Sequence, residues 1–108
     1  MRRALVLALA LALAACTPSD GDIPTPERLD AAARSQCEAA GGMVMIAGLS
    51  GNEFCAARNP DAGQSCRRAT DCRGYCEAGT LTCSTYQSPF GCYSFLDAEG
   101  QEVSICVD

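Results

Sequence analysis

The apolar and polar positions divide the 108-residue chain into an apolar leader, a polar connector and a folded part. An uninterrupted apolar run covers 4–15 after two arginines, and it is too short to cross a bilayer, which takes about 20 residues. The next stretch, 17–25, contains two prolines and two aspartates and has no apolar period. The pattern predicts a signal peptide over 1–15 and a flexible tether up to residue 25.

Helical spacing of apolar residues begins directly after the tether. Thr25 is a typical N-cap residue and Pro26 suits the first helical position. Apolar positions then recur up to Ala40, and two glycines at 41–42 can end the element. We therefore predict one helix from about Pro26 to Ala40.

Two later regions have the pattern of β-hairpins. In the first, Met43–Ala47 and 53–57 flank the turn residues 48–52. In the second, 91–97 and 101–107 flank a three-residue loop that ends in Gly100, which suits the left-handed position of a bulged turn.

The turn of the second hairpin sets a register in which paired residue numbers add up to 198. This register places Cys92 opposite Cys106, and strict alternation then assigns the larger apolar side chains to one face. The residues predicted for this face are Tyr93, Phe95, Val103, Ile105 and Val107. We expect this face to provide most of the burial in the domain.

The composition after the leader shows how such a chain can fold. Leu, Ile, Val and Phe make up 13 of the 93 residues in 16–108, which is too few for an ordinary core, whereas Cys makes up nine. A short exported chain with about 10% Cys is typical of a disulfide scaffold. We predict a small disulfide-rich fold over 26–108, with one N-terminal helix and two short β-hairpins around a Cys-braced loop region.

The end of the leader indicates how the chain is held in the cell. Residues 13–16, Leu-Ala-Ala-Cys, resemble the lipobox of bacterial lipoproteins. The resemblance implies cleavage before Cys16, lipid attachment at Cys16 and a stable membrane anchor. An ordinary secretory signal would leave nine cysteines, an odd number. Thr17 after the lipidated cysteine resembles the outer-membrane sorting class, so we expect a lipid-anchored protein of the cell envelope at the outer membrane.

Without Cys16, eight cysteines remain and can form four disulfides. Cys37 with Cys55 is the preferred pair beside the first hairpin, and Cys92 with Cys106 follows from the second. For the central four, a crossed arrangement is favoured and the nested one stays open. The favoured central pairs are Cys66 with Cys76 and Cys72 with Cys83. A zinc site on these four thiols is disfavoured, because CxxC pairs are absent and the compartment is oxidising.

Charge and missing side chains exclude several functions. The part from Cys16 onward has six Arg and 13 acids, a net charge of −7, which disfavours nucleic acid as a partner. There is no His, so Ser-His and Cys-His nucleophile pairs cannot form, and we expect no catalytic residues, no metal and no cofactor. Calcium binding by Asp61, Asp71 and Glu77 would rest on acidity alone, since no DxDxDG loop is present.

Two central motifs carry a resemblance to known proteins. DAGxxC begins at Asp61 and DCxGxC begins at Asp71. With the cysteine spacing over 37–108, they look like small cysteine-rich exported lipoproteins of proteobacteria that have no assigned activity. The resemblance implies a disulfide-stabilised domain and supplies no functional residues.

The leading functional hypothesis is a non-enzymatic binding domain that contacts an envelope protein. The candidate binding residues lie in or beside the Cys-rich loops: Arg67, Arg68, Arg73, Tyr75, Tyr86 and Phe90. The plainer interpretation makes the arginines solvated loop charges balanced by nearby acids, and makes Tyr86 and Phe90 core residues of the hairpin. The alternative function is a protease inhibitor that presents Arg67, Arg68 or Arg73 on a rigid loop to a trypsin-like pocket.

Overall fold

The computed structural model of the chain describes residues 21–108. These residues form one helix, two antiparallel sheets and four disulfides, so the predicted class, a small disulfide-rich fold, is confirmed. The elements are α1 (Ala31–Ala39), β1 (Met43–Ala47), β2 (Asn52–Ala56), β3 (Cys76–Glu77), β4 (Thr82–Cys83), β5 (Gly91–Leu96) and β6 (Glu102–Val107). The predicted signal peptide, Cys16 and residues 17–20 of the predicted tether lie outside the described residues. Within 21–108, no helix is both long and apolar enough to cross a membrane.

The helix α1 begins later than its sequence pattern predicts. Asp30, in extended conformation, is the N-cap, and its Oδ1 accepts a hydrogen bond from the Ala33 N–H at 2.7 Å. The predictions of Thr25 as N-cap and Pro26 as first helical residue were therefore wrong. An aspartate at the N-cap satisfies one of the free N–H groups in the first turn, as Thr25 was expected to do.

Hydrogen bonds to β2 explain why 26–29 are not helical. The Glu27 N–H donates to Asn52 Oδ1 at 2.8 Å, and the Glu27 carbonyl accepts from the Glu53 N–H at 2.8 Å. The Leu29 N–H donates to Glu53 Oε2 at 3.0 Å. These partners are 24–26 residues away in sequence, so the local helical pattern could not reveal them.

The first hairpin packs against α1. β1 and β2 are antiparallel with Met45 opposite Phe54, and a 3-10 turn over Gly48–Ser50 followed by Gly51 connects them. Asn52 pairs with Ala47 as part of β2, so the connection is one residue shorter than predicted. The Cys37–Cys55 disulfide joins α1 to β2.

The second sheet is larger than the predicted hairpin. Its strand order is β4-β3-β5-β6, so the Cys-braced region, predicted as loops, adds two short strands to the terminal pair. Within β5 and β6, Cys92 lies opposite Cys106 and Phe95 opposite Val103, which is the predicted register. Gly100 has a φ of +80°, the left-handed conformation expected for this turn.

The eight cysteines after Cys16 form four disulfides, with the crossed arrangement in the centre. The pairs are Cys37–Cys55, Cys66–Cys76, Cys72–Cys83 and Cys92–Cys106. They are the pairs that the sequence analysis favoured.

The buried centre lies on a different face from the one expected. Leu96 packs with three buried half-cystines on the opposite face of β5 from Tyr93 and Phe95. The predicted apolar face is only half-buried throughout. The reason is that β3 pairs with β5 and places Cys76 directly beside Leu96. Burial in this domain therefore concentrates around disulfides.

Glu53 on β2 ties the N-terminal segment to the first sheet. Its side chain is 9% exposed and accepts from Arg34 Nη2 at 2.7 Å and from the Leu29 N–H at 3.0 Å, and Arg28 lies 3.5 Å away. Burial raises the pKa of this carboxyl, but the Leu29 hydrogen bond, the Arg34 hydrogen bond and the two positive charges lower it more. The pKa of Glu53 is therefore below its usual value.

We expect Glu53 to make the domain less stable in acid. Because the folded-state pKa is lowered, the stabilisation is complete above the unfolded-state pKa of about 4.3 and is lost as pH falls through the lower folded-state pKa. In urea unfolding at pH 6 and pH 3, Glu53→Gln should reduce the difference between the two midpoints. The exposed Glu102→Gln variant serves as the control and should keep the wild-type difference. An unchanged difference in Glu53→Gln would contradict the assignment.

Candidate functional site

Three tyrosines from separate parts of the chain line one depression of about 510 Å³. Tyr75 precedes β3, Tyr86 follows β4 and Tyr93 lies on β5. We call this depression the tyrosine groove; its wall includes Arg73, Tyr75, Tyr86, Ser88, Pro89 and Tyr93. All three tyrosines are half-buried, so their rings remain accessible in part.

The aromatic rings of the groove are held by the second sheet. β3 and β5 pair with Glu77 opposite Phe95, which places alternate side chains of both strands on one face. The rings of Tyr75 and Tyr93 stack with their centroids 4.6 Å apart and their planes at 23°. Phe95 packs beside both, at 6.4 Å from Tyr75 and 5.9 Å from Tyr93. The groove therefore has a rigid aromatic side.

A buried polar cluster forms the base of the groove. Asn59 Nδ2 donates to the Ser84 carbonyl at 3.0 Å and to Ser84 Oγ at 3.2 Å, and Ser84 Oγ also accepts from the Tyr75 N–H at 3.1 Å. Asn59 and Ser84 are 3% and 1% exposed. In addition, the Asn59 N–H donates to the Thr85 carbonyl at 2.8 Å. These bonds join three chain segments, and buried polar groups that are satisfied in this way specify one arrangement of the backbone.

One phenol of the groove has a raised pKa. Burial raises the pKa of Tyr75 above its usual value, and the nearby Glu77 carboxylate and Tyr93 phenol raise it further. The Tyr75 hydroxyl, like an ordinary phenol, is protonated in the physiological range and can donate a hydrogen bond. Arg73, exposed at the edge of the groove, supplies a positive charge.

The structure brings four of the six predicted binding residues together. Arg73, Tyr75 and Tyr86 line the tyrosine groove. Phe90 shares a neighbouring depression of about 280 Å³ with Tyr75 and Tyr86. Its ring also packs edge-on against Phe54 of β2, with 5.6 Å between centroids. Phe90 and Tyr86 are half-buried, so each both packs and faces the surface.

The other two predicted binding residues lie elsewhere. Arg67 and Arg68 are exposed on the loop after Cys66, and their N–H groups donate to Asp71 Oδ2 at 2.9 and 3.2 Å. Arg67 borders a separate depression of about 590 Å³ with Asp71 and Leu81. Neither arginine lines the tyrosine groove.

Aspartates in the Cys-rich loops accept hydrogen bonds from backbone N–H groups rather than from arginine side chains. Asp61 Oδ2 accepts from the Arg73 N–H at 2.7 Å, as Asp71 Oδ2 does from the loop after Cys66. Among residues 21–108, the ion pairs join Glu53 to Arg28 and Arg34 and include none of the three predicted binding arginines. Arg67, Arg68 and Arg73 are all exposed, which agrees with the plainer interpretation of solvated loop charges.

The residues of the groove that were not predicted as site residues include Tyr93, Asn59 and Ser84. Tyr93 was assigned to the core face of the second hairpin. The alternation of the strand places it on the predicted face, but the side chains of that face are only half-buried. Asn59 and Ser84 were not singled out, because polar residues in a polar loop carry no periodic signal. Their contact joins positions 25 residues apart and follows only from the folded chain.

Within 21–108, two groups of potential metal-binding atoms lie close together. They are Cys66 with Cys72 and Cys76, and Asp61 with Cys72 and Cys83. Every sulfur in both groups belongs to a disulfide. Disulfide sulfurs are not thiolates, so these groups lack the ligands that zinc or copper would need.

Comparison of the chain with protein-family models, with curated proteins and with solved structures finds no match. The tyrosine groove and the disulfide scaffold are therefore the features from which a function is inferred.

Proposed function

We propose that the chain is a lipid-anchored lipoprotein of the bacterial cell envelope, whose non-enzymatic domain binds an envelope protein through the tyrosine groove. The four disulfides support this location, because disulfides persist in oxidising compartments such as the periplasm and the cell surface. The lipobox-like residues before Cys16 support the anchor, with the outer membrane as the expected site.

The single observation that carries the binding function is the composition of the groove. Tyr75, Tyr86 and Tyr93 face one depression together with Arg73 at its edge. Tyrosine and arginine are enriched among the residues that dominate the energy of protein interfaces. The rings of Tyr75 and Tyr93 are fixed by stacking, and the backbone of Tyr75 is held by its bond to Ser84, so little ordering entropy of these two residues is lost when a partner binds.

The geometry favours this proposal over a protease inhibitor. A protein that binds an extended peptide forms hydrogen bonds with the peptide backbone, as one β-strand does with another. A trypsin-like protease therefore needs an extended backbone on both sides of the arginine. Arg68 itself is extended, but Ala69–Asp71 turn at once into a 3-10 helix. The N–H groups of Arg67 and Arg68 are already bound by Asp71. Arg73 is better placed to contact a partner together with the tyrosines.

The anchor is tested by expressing the full chain with its leader in a bacterial host. The wild type should fractionate with membranes and show a mass increase for lipid on Cys16. Cys16→Ser should show no mass increase for lipid, because the thioether that holds the diacylglyceryl group needs the Cys16 sulfur. An unmodified Cys16, or a Cys16→Ser protein that is still processed and membrane-bound, would refute this part of the proposal.

The groove is tested by photo-cross-linking in the same cells. A cross-linking amino acid at Ser88, inside the groove, should capture one defined envelope protein. Tyr86→Ala in that background should lower the yield about tenfold, the effect of losing one strong interface residue. The matched control is Arg67→Ala with Arg68→Ala, which alters exposed side chains outside the groove and should leave the yield unchanged. Equal losses in both variants, or no capture at position 88, would contradict the proposal.

A further inference from the structure

Exposed apolar side chains collect at one end of the domain, around the turn between β1 and β2. Leu49 is 87% exposed and Ile46 is 54% exposed. They border a shallow depression of about 360 Å³ together with Phe90 and Val107. We call these four residues the turn patch. Side chains of this kind, clustered on a small polar domain, mark a surface that contacts another phase or molecule.

The chain enters the domain at this same end. Pro26 lies so close to Gly51, at the end of the turn, that a Cβ on Gly51 would be 3.1 Å from Pro26 Cγ. The next residue, Glu27, is bonded through its N–H to Asn52. Ile23, only three residues before Pro26, is 92% exposed. The tether from Cys16 therefore leads directly to the turn patch.

The length of the tether limits how far this end can lie from the anchor. Nine residues, 17–25, separate Cys16 from Pro26, and an extended chain of that length spans at most about 30 Å. The end that carries Pro26 is thus the end of the domain held closest to the acyl chains. Any apolar surface there is presented to the bilayer at a high effective concentration.

We infer that the turn patch rests on the bilayer that holds the lipid of Cys16, with Leu49 inserted into its interface. This inference rests on the lipid anchor of the proposed function and adds a second, weaker membrane contact to it. The four side chains of the patch are uncharged, whereas Asp108, which borders the same depression, carries part of the net charge of −7 of the chain from Cys16 onward. The matching surface is therefore a zwitterionic bilayer rather than an anionic one.

Such contact fixes the orientation of the domain. Val107, at one end of β6, lies in the patch, while the turn with Ala98 and Gly100 lies at the other end of the same hairpin. Seven residue steps of a strand separate Gly100 from Val107, a distance of about 23 Å. The turn at Ala98 should therefore point away from the bilayer.

The chain contains no tryptophan, so one introduced tryptophan is a clean probe of depth. Leu49→Trp and the control Ala98→Trp both replace exposed residues. The full lipidated chains are placed in phosphatidylcholine vesicles that contain brominated acyl chains. We expect a blue-shifted emission and at least about threefold stronger quenching for Leu49→Trp than for Ala98→Trp.

The readouts separate failure of the inference from failure of the anchor. A mass for lipid on Cys16 and flotation with the vesicles establish the anchor in both variants. If both float and their quenching is equal, the turn patch does not contact the bilayer and the inference is wrong. If quenching in Leu49→Trp rises when phosphatidylglycerol is added, the preference for a zwitterionic surface is wrong. If the expressed chain carries no lipid on Cys16 and does not float, the proposed anchor itself is refuted, and with it the inference.

Discussion

Reduction of the four disulfides should abolish cooperative unfolding of the domain. Of the buried apolar residues in 21–108, four are half-cystines and the other two are Ala56 and Leu96. A single buried leucine cannot offset the ordering entropy of about 80 residues. Each bridge contributes about 3 kcal/mol through the unfolded state, and small domains have only about 5–15 kcal/mol in total. Circular dichroism should show no thermal transition after full reduction, and a retained cooperative melt would contradict this view.

Removal of single disulfides should lower stability by different amounts, and the difference should separate the effect of chain entropy from that of packing. Cys66–Cys76 and Cys92–Cys106 close loops of similar length, with separations of 10 and 14 residues. Their entropic contributions should therefore be similar, about 3 kcal/mol each. The first pair is buried, whereas both cysteines of the second are exposed. Replacing both cysteines by alanine should cost about 1 kcal/mol more in the first pair, because only there does a cavity form.

Urea unfolding of the two double-alanine variants measures this difference. The Cys92–Cys106 variant serves as the matched control for loss of a cross-link without loss of buried volume. A larger loss of stability in that variant than in the Cys66–Cys76 variant would show that the disulfide cluster around Leu96 is not the core.

Peptide mapping of the nonreduced wild type identifies the cysteine pairs directly. A fragment joining Cys106 to any of the central four cysteines would refute the β5–β6 register.

Gly74→Ala should destabilise the domain by about 2–6 kcal/mol and disturb the tyrosine groove. A Cβ at Gly74 would collide with Ser84 Oγ and would lie 2.7 Å from Asn59 Nδ2. Both atoms belong to buried side chains: Asn59 Nδ2 already donates to Ser84 Oγ, and Ser84 Oγ also accepts from the Tyr75 N–H, so neither can move freely. The estimate combines overpacking, about 1–3 kcal/mol, with the loss of buried hydrogen bonds, about 1–3 kcal/mol.

Gly79→Ala is the matched control for Gly74→Ala. Nothing lies within 4 Å of a Cβ at Gly79, and its backbone does not require glycine. The added methyl should leave stability unchanged or raise it by up to about 1 kcal/mol, because the unfolded chain loses freedom. Chemical unfolding should therefore separate the two variants clearly. Equal midpoints would show that the Asn59–Ser84 cluster tolerates a side chain at position 74.

The β5–β6 hairpin was predictable because its signals are local and independent. The turn ending in Gly100, the alternation over both strands and the match of Cys92 with Cys106 all require the same register. A slip by one residue would turn the apolar set of one strand to the other face. The start of α1 was not predictable in the same way. Thr25 and Asp30 both suit an N-cap, and only the distant partners of Glu27 in β2 exclude the earlier one.

Cysteine number, spacing and turn chemistry in the sequence alone determined the disulfide-rich class, the C-terminal register and the favoured cysteine pairs. These features depend on residues close together in sequence or on the number of cysteines that must pair, so no folded structure is needed to identify them. The tertiary structure alone decided which face of β5 is buried and which candidate residues share a site. Both depend on β3 pairing with β5 and on Asn59 reaching Ser84. Such contacts join segments far apart in sequence, and their free energy is gained only when the whole chain has closed around its disulfides.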